Sequence, residues 1–178
     1  MKVLLTGSSK GIGYKIAKDL LVDGHELALH YNKNESTLDA LLKKDKTGSF
    51  SIQADLSQQQ EIKKMVVNTI DKLSFPDCII NNAGIAESAD ISMDIYKWSK
   101  MFGKTIDINL KAPSLIFKEF LKYKREKKIN SRLRVINIAS RAAFRGEQQD
   151  YISYACSKGG IISLTKTMSR SFGETDNI

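Results

Sequence analysis

The chain has 178 residues, 42% hydrophobic and 27% charged, with a formal net charge of +8. That balance excludes a disordered polymer and suits one globular domain, residues 1–178, able to bury a sizeable core. No apolar run approaches the roughly 20 residues of a membrane span, and the glycine motif begins too early to leave room for a signal peptide, so a cytoplasmic protein without membrane contact is expected.

Along the chain, short apolar runs alternate with helical patterns. Val3–Leu5 reads as the first strand, followed by Thr6-Gly7-Ser8-Ser9-Lys10-Gly11-Ile12-Gly13 and a helix near 12–22. Glu26–His30 is the second strand, with a helix near 35–45 that Asn34 or Ser36 would cap. Ser49–Gln53 and a helix near 58–72 follow, with Ser57 as the expected cap. Asp77–Asn81, helices near 94–105 and 110–128, Leu133–Ala139 and a helix near 152–172 complete the pattern. Nearly continuous apolar strands separated by helices predict an α/β fold with a doubly wound parallel sheet, covered on both faces. Ligands of such sheets lie beyond the carboxyl ends of the strands, where strand order reverses. Gly7, Asp55, Asn81–Gly84 and Ser140 all fall at those ends.

The glycines of the first strand–helix turn permit a sharp bend and bring backbone amides against a pyrophosphate at a helix N-terminus. Thr6, Gly7, Ser9, Lys10, Gly11, Ile12 and Gly13 are therefore candidate cofactor contacts. Strand two ends His30-Tyr31-Asn32-Lys33, without the acid that holds the ribose hydroxyls in an NAD site. Lys10 and Lys33 are placed to meet a 2′-phosphate, which favours NADP(H) over NAD(H); solvated lysines are the alternative. Tyr31 and Asn32 flank the same site. Asp55 could accept a hydrogen bond from adenine with Leu56 beside the ring, or could simply make a turn. Asn82, Ala83 and Gly84 allow close approach of backbone to the cofactor, although a plain Asn/Gly turn has the same composition.

Tyr154 and Lys158 are four residues apart on one helix face. A phenol, with reference pKa near 10, is a poor base at neutral pH, but a nearby ammonium favours its anion. Tyr154 thus becomes a candidate general acid for ketone reduction and general base for alcohol oxidation. Ser140 could donate to the substrate oxygen as charge develops there, and Asn109 could hold a water between Lys158 and solvent. The substrate class is a small-molecule carbonyl or alcohol. A non-catalytic dinucleotide-binding protein of the same fold is the alternative.

Cys78 and Cys156 lack metal-ligand spacing and read as reduced thiols; no metal is expected. Much of the positive charge lies in Lys122, Lys124, Arg125, Lys127, Lys128, Arg132 and Arg134, read as a solvated helix end. No aromatic interleaving or nucleic-acid motif accompanies it, so no nucleic-acid partner is expected.

In order, Thr6-Gly7-x3-Gly11-Ile12-Gly13, Asn81-Asn82-Ala83-Gly84, Asn109, Ser140 and Tyr154-x3-Lys158 resemble the short-chain dehydrogenase/reductase family. Among its subgroups the chain is most similar to the 3-oxoacyl-[acyl-carrier-protein] reductases, a generic likeness. The resemblance implies a Rossmann fold, a catalytic tetrad of Asn109, Ser140, Tyr154 and Lys158, and, through Lys10, a preference for NADP. It also implies a homodimer or homotetramer paired through the helices at 110–128 and 152–172. Leu115, Ile116, Ile161, Ile162 and Leu164 would face the partner or, equally, the sheet. Finally, it implies further strands and a substrate-covering loop beyond Ile178, so residues 1–178 are expected to lack one sheet edge and need not turn over alone.

Overall fold

The computed structural model describes residues Met1–Ile178. Its centre is a five-stranded, all-parallel sheet in the order β3-β2-β1-β4-β5. The strands are β1 (Lys2–Leu5), β2 (Glu26–Tyr31), β3 (Phe50–Gln53), β4 (Cys78–Asn81) and β5 (Arg134–Asn137). Between them run α1 (Gly11–Val22), α2 (Ser36–Leu42), α3 (Gln59–Leu73), α4 (Ile95–Ile106) and α5 (Ala112–Glu126). After β5 come the short α6 (Ala142–Arg145), a 3-10 turn at Gln149–Tyr151, and α7 (Ile152–Phe172).

Side-chain alternation along the strands explains why they read as unbroken apolar runs. Leu4, Ala28, Ile52 and Ile79 point to one face, where they meet Ile62, Met65 and Val66 of α3 and Ile116 and Phe120 of α5. Val3, Leu5, Leu27, Leu29, Cys78 and Ile80 point to the other, against Ala17 of α1 and Leu38 of α2. Each fully buried side chain of this size contributes about 1.5–3 kcal/mol. A smaller cluster of Phe117, Leu121 and Met168 joins α5 to α7.

Four local expectations change. β5 is in register with β4 over Arg134–Asn137, shorter than Leu133–Ala139; past it the Ile138 amide still donates to the Asn81 carbonyl, where β4 ends. Ser57 does not cap α3; the Asp55 carboxylate accepts from the Ser57 amide and hydroxyl at 2.9 and 2.8 Å and turns the chain ahead of the helix. Between α4 and α5 the helix does not stop. It runs through a π-turn at Asp107–Lys111 that carries Asn109. Nor does Asn34 or Ser36 cap α2: Glu35 holds the N-cap position without a side-chain cap, and Asn34 Oδ1 instead accepts from the Ser36 amide and hydroxyl at 3.0 and 2.7 Å.

Candidate active site

Strand order reverses between β1 and β4, and the turns that leave those two strands are fastened together. Thr6 Oγ1 accepts from the amides of Asn82 and Ala83 at 3.1 and 3.0 Å. Asn82 Nδ2 donates to the carbonyls of Thr6 and Gly7, both at 3.0 Å. The Thr6 and Asn82 side chains therefore fasten the cradle together. Gly7, at φ +69°, would place a Cβ 2.8 Å from Ala83 Cα, and a Cβ on Gly13 would lie 2.1 Å from the Gly7 carbonyl oxygen. Close packing demands glycine at both. Gly11 differs: its φ is +56° and nothing lies within 4 Å of an added Cβ. That open space adjoins the first turn of α1, where no side chain caps the amides, and Ile12 stands 65% exposed. Free amides, the positive end of a helix and room beside Gly11 fit a nucleotide diphosphate.

The carboxyl ends of β2 and β3 form the adjoining wall. Thr37 Oγ1 donates to the Ser9 carbonyl at 2.7 Å, tying α2 to the glycine turn. Lys10, Asn32 and Lys33 are exposed there, and Tyr31 is half-buried. Burial first, and the Glu35 carboxylate second, push the Tyr31 phenol up. Glu35 itself bonds the Ser51 hydroxyl, which with Tyr31 holds its carboxyl below the usual range. The hydrogen bonds from Ser57 hold the Asp55 carboxyl low, with Lys104 and Lys33 adding attraction. Leu56 is 6% exposed and belongs to the core, so its side chain offers little surface to a ring.

On the other side of the switch point lies the Tyr–Lys helix. Lys158 is buried and donates from Nζ to the Ile138 carbonyl at 2.7 Å, which leaves two further N–H donors. Its Nζ sits 5.8 Å from the centre of the Tyr154 ring. A Cβ on Gly84 would lie 3.7 Å from the same nitrogen. Burial lowers the ammonium pKa. Ser140 Oγ accepts from the Ala142 amide at 3.2 Å, which orients it at the start of α6, itself packed on α7. Asn109 is buried with its amide spoken for: Oδ1 accepts from the Ile85 amide at 2.8 Å, while Nδ2 donates to the Ile85 carbonyl at 2.8 Å and to Ser157 Oγ at 3.1 Å. It anchors the backbone after Gly84 to α7, with both Nδ2 donors engaged and one lone pair of Oδ1 still open. Lys158 and Asn109 thus both lie beside Gly84, with Tyr154 next to Lys158, while Gly7 of the glycine cradle packs on the neighbouring Ala83.

Sequence reasoning passed over His30 and Thr37. A lone polar residue inside the apolar run Leu27–Tyr31 was the available signal for His30; nothing local singles out Thr37. The basic cluster is only partly a solvated helix end. Lys124 is 3% exposed, donating to the carbonyls of Ile129 and Ser131, and Arg125 pairs with Asp176. A cavity of about 480 Å³ lies here between α5 and residues 174–177 and contains no site residue. Ile116 and Ile161 are buried within the chain, and Leu115 and Leu164 pack on core clusters, so these face inward.

A doubly wound sheet with a glycine turn at its switch point, and a Tyr-x3-Lys helix over the same edge, define a dinucleotide-binding domain of the dehydrogenase type. The chain belongs to the short chain dehydrogenase family, whose sequence profile matches residues 1–178. It is 29% identical over 171 residues to a 3-oxoacyl-[acyl-carrier-protein] reductase of Synechocystis sp., covering 94% of this chain and 66% of that protein. A Staphylococcus epidermidis reductase of the same name is 30% identical, with coverages of 94% and 67%. Among solved structures, a 4-hydroxyisoleucine dehydrogenase complexed with NADH superposes with a TM-score of 0.85 at 30% identity, over 98% of this chain and 69% of that one. A blue fluorescent protein from a metagenomic library, in complex with NADPH, gives 0.79 at 25% identity, over 97% and 68%. The chain spans about two thirds of the length of the curated reductases it matches (66% and 67%). No helix is long and apolar enough to cross a membrane.

Proposed function

We propose that the protein is an oxidoreductase that interconverts a carbonyl and a secondary alcohol with a nicotinamide dinucleotide, NADP(H) in preference to NAD(H). The observation that carries this reading is the buried Lys158 ammonium, fixed by the Ile138 carbonyl 5.8 Å from the Tyr154 ring and beside Gly84. Relatives named as reductases and neighbours holding NADH or NADPH support it.

The dinucleotide, when bound, supplies or accepts the hydride. Gly7, Ser9, Lys10, Gly11, Ile12 and Gly13 would hold its phosphates, with Tyr31, Asn32, Asp55, Ala83 and Gly84 along the rest of its length. Tyr154 passes the phenolic proton to the substrate oxygen in reduction and takes it back in oxidation. Ser140 donates a hydrogen bond to the same oxygen as it gains negative charge. Lys158 stabilises the tyrosinate left behind and keeps the phenol oriented through the shared face of α7. Asn109 holds the Gly84–Ile85 backbone in place.

The support for NADP is the exposed Lys10 in the glycine turn and the exposed Lys33 just past β2, together with the engagement of the nearby acid, Glu35, by Ser51. In full-length protein, Tyr154→Phe is expected to abolish NADPH oxidation across a panel of ketones while leaving NADPH affinity within a few-fold. Retained turnover ends the mechanism. Lys10→Ala should weaken NADP binding and leave NAD binding unchanged; equal losses for both would remove the cofactor preference.

A further inference from the structure

We propose that His30 is a positioning residue for the dinucleotide, holding the phosphate turn and the adenine-side turn in register through an uncharged imidazole, so that cofactor affinity falls on acidification. The inference rests on the dinucleotide reading above.

His30 is 2% exposed and lies at the carboxyl end of β2, on the face shared with Ala28, Ile52 and Ala54. Nδ1 stands 3.0 Å from the Gly7 amide, and Nε2 stands 2.9 Å from the Ala54 carbonyl. An amide can only donate and a carbonyl can only accept. Nδ1 must therefore carry the lone pair and Nε2 the proton, a single tautomer that satisfies both partners. The backbone of His30 adds a third tie, because its carbonyl accepts from the Ser8 amide at 2.8 Å. Two consecutive amides of the glycine turn thus end on one residue. The later amides, in the turn and the first turn of α1, are left to face a phosphate. On the other side, Ala54 immediately precedes Asp55 and the turn that Asp55 makes with Ser57.

Protonation would set two donors, Nδ1–H and the Gly7 N–H, facing each other across 3.0 Å. Gly7 has no slack with which to escape: it sits at φ +69° with the Ala83 backbone within 2.8 Å of an added Cβ. The turn must shift instead, and the phosphate site with it. Burial opposes the imidazolium, partly offset by the Ala54 carbonyl and the Asp55 carboxylate. Asp55 is the charge that faces His30. Glu61 holds the Asp55 amide from α3, and the Lys104 and Lys33 ammonium groups attract the Asp55 carboxylate. Because the folded pKa lies below the ordinary value of about 6.5, the neutral form is secure above that pH, and the bond to Gly7 is lost as pH falls through the folded value.

The test is the affinity of full-length protein for NADP, measured by calorimetry from pH 5 to 8, for wild type, His30→Asn and His30→Ala, with melting temperatures alongside. Asn sets an oxygen where Nδ1 stands, accepts from Gly7 and does not titrate. It is expected to bind within about threefold of wild type at pH 8 and to resist acid better, the two curves diverging by up to about tenfold per pH unit. His30→Ala should bind about tenfold more weakly at pH 8, with kcat at saturating cofactor within about twofold of wild type. Superposable pH profiles for wild type and His30→Asn overturn the proposal, as does unchanged affinity in His30→Ala. If His30→Ala does not fold, the wild-type and Asn curves decide alone. A wild type that binds no dinucleotide at pH 8 removes the underlying reading and this proposal together.

Discussion

Gly11 and Gly13 stand two residues apart and fail differently on substitution. A methyl at Gly13 collides with the Gly7 carbonyl oxygen at 2.1 Å, and the contact is backbone, so the turn itself must move. At Gly11 nothing is struck, and only the left-handed conformation is penalised, by about 1–2 kcal/mol. Gly13→Ala should therefore lower the melting temperature by more than Gly11→Ala, and thermal unfolding of the two variants checks the order. Lys158 shows the opposite balance, in which a residue needed for chemistry burdens the fold. Burial disfavours its ammonium, so Lys158→Met should abolish turnover while losing little stability. A calorimetric scan beside an activity assay separates the two effects. At this scale the sequence was informative about residue type and spacing, as with Tyr154 and Lys158. It was silent on saturation: that Asn109 and Thr6 spend their hydrogen bonds on Ile85 and Asn82 is a property of neighbours distant in the chain.

Among the elements, α5 shows how much core rests on one helix. Phe120 is fully buried and packs edge-on to Phe75 at 6.1 Å between ring centres. Phe120→Ala is expected to cost about 3–5 kcal/mol in denaturant unfolding. The segment after α7 is held electrostatically. Arg125 grips Asp176 with two bonds at 2.7 and 2.8 Å, and the carboxyl is pushed down to about 2. A carboxylate depressed in the fold contributes stability above its unfolded pKa of about 4, lost as pH falls from there through about 2. Asp176→Asn should remove that acid-dependent component, read as a flatter stability curve between pH 4 and 2. The helices and strands were legible because their apolar residues repeat at the periods of one buried face or two. The π-turn at Asp107–Lys111 was not, since no side-chain pattern encodes one extra residue in a helical turn. It arises where α4 and α5 both pack near α7 and Asn109 reaches Ile85 and Ser157.

For the whole molecule, β5 is the exposed margin of the sheet. It pairs only with β4, and Ile136 on it is 46% exposed. An unpaired apolar edge templates association, so light scattering of residues 1–178 should rise with concentration, and Ile136→Lys should reduce it. Strand and helix order, the parallel class of the sheet and the glycine, Asn-Asn-Ala-Gly and Tyr-x3-Lys motifs were determined by the sequence alone, because each depends on local spacing, backbone freedom or a one-dimensional apolar period. The tertiary structure decided which of those residues touch and which are already satisfied. It tied His30 to Gly7 and Ala54, turned Leu56 and Ile116 inward, and buried Lys124 and Lys158. Such outcomes follow from the sheet's register and the packing of helices on it. Both bring together groups up to 76 or 77 residues apart, as Thr6 meets Asn82 and Ala83, a separation that local sequence periodicity does not record.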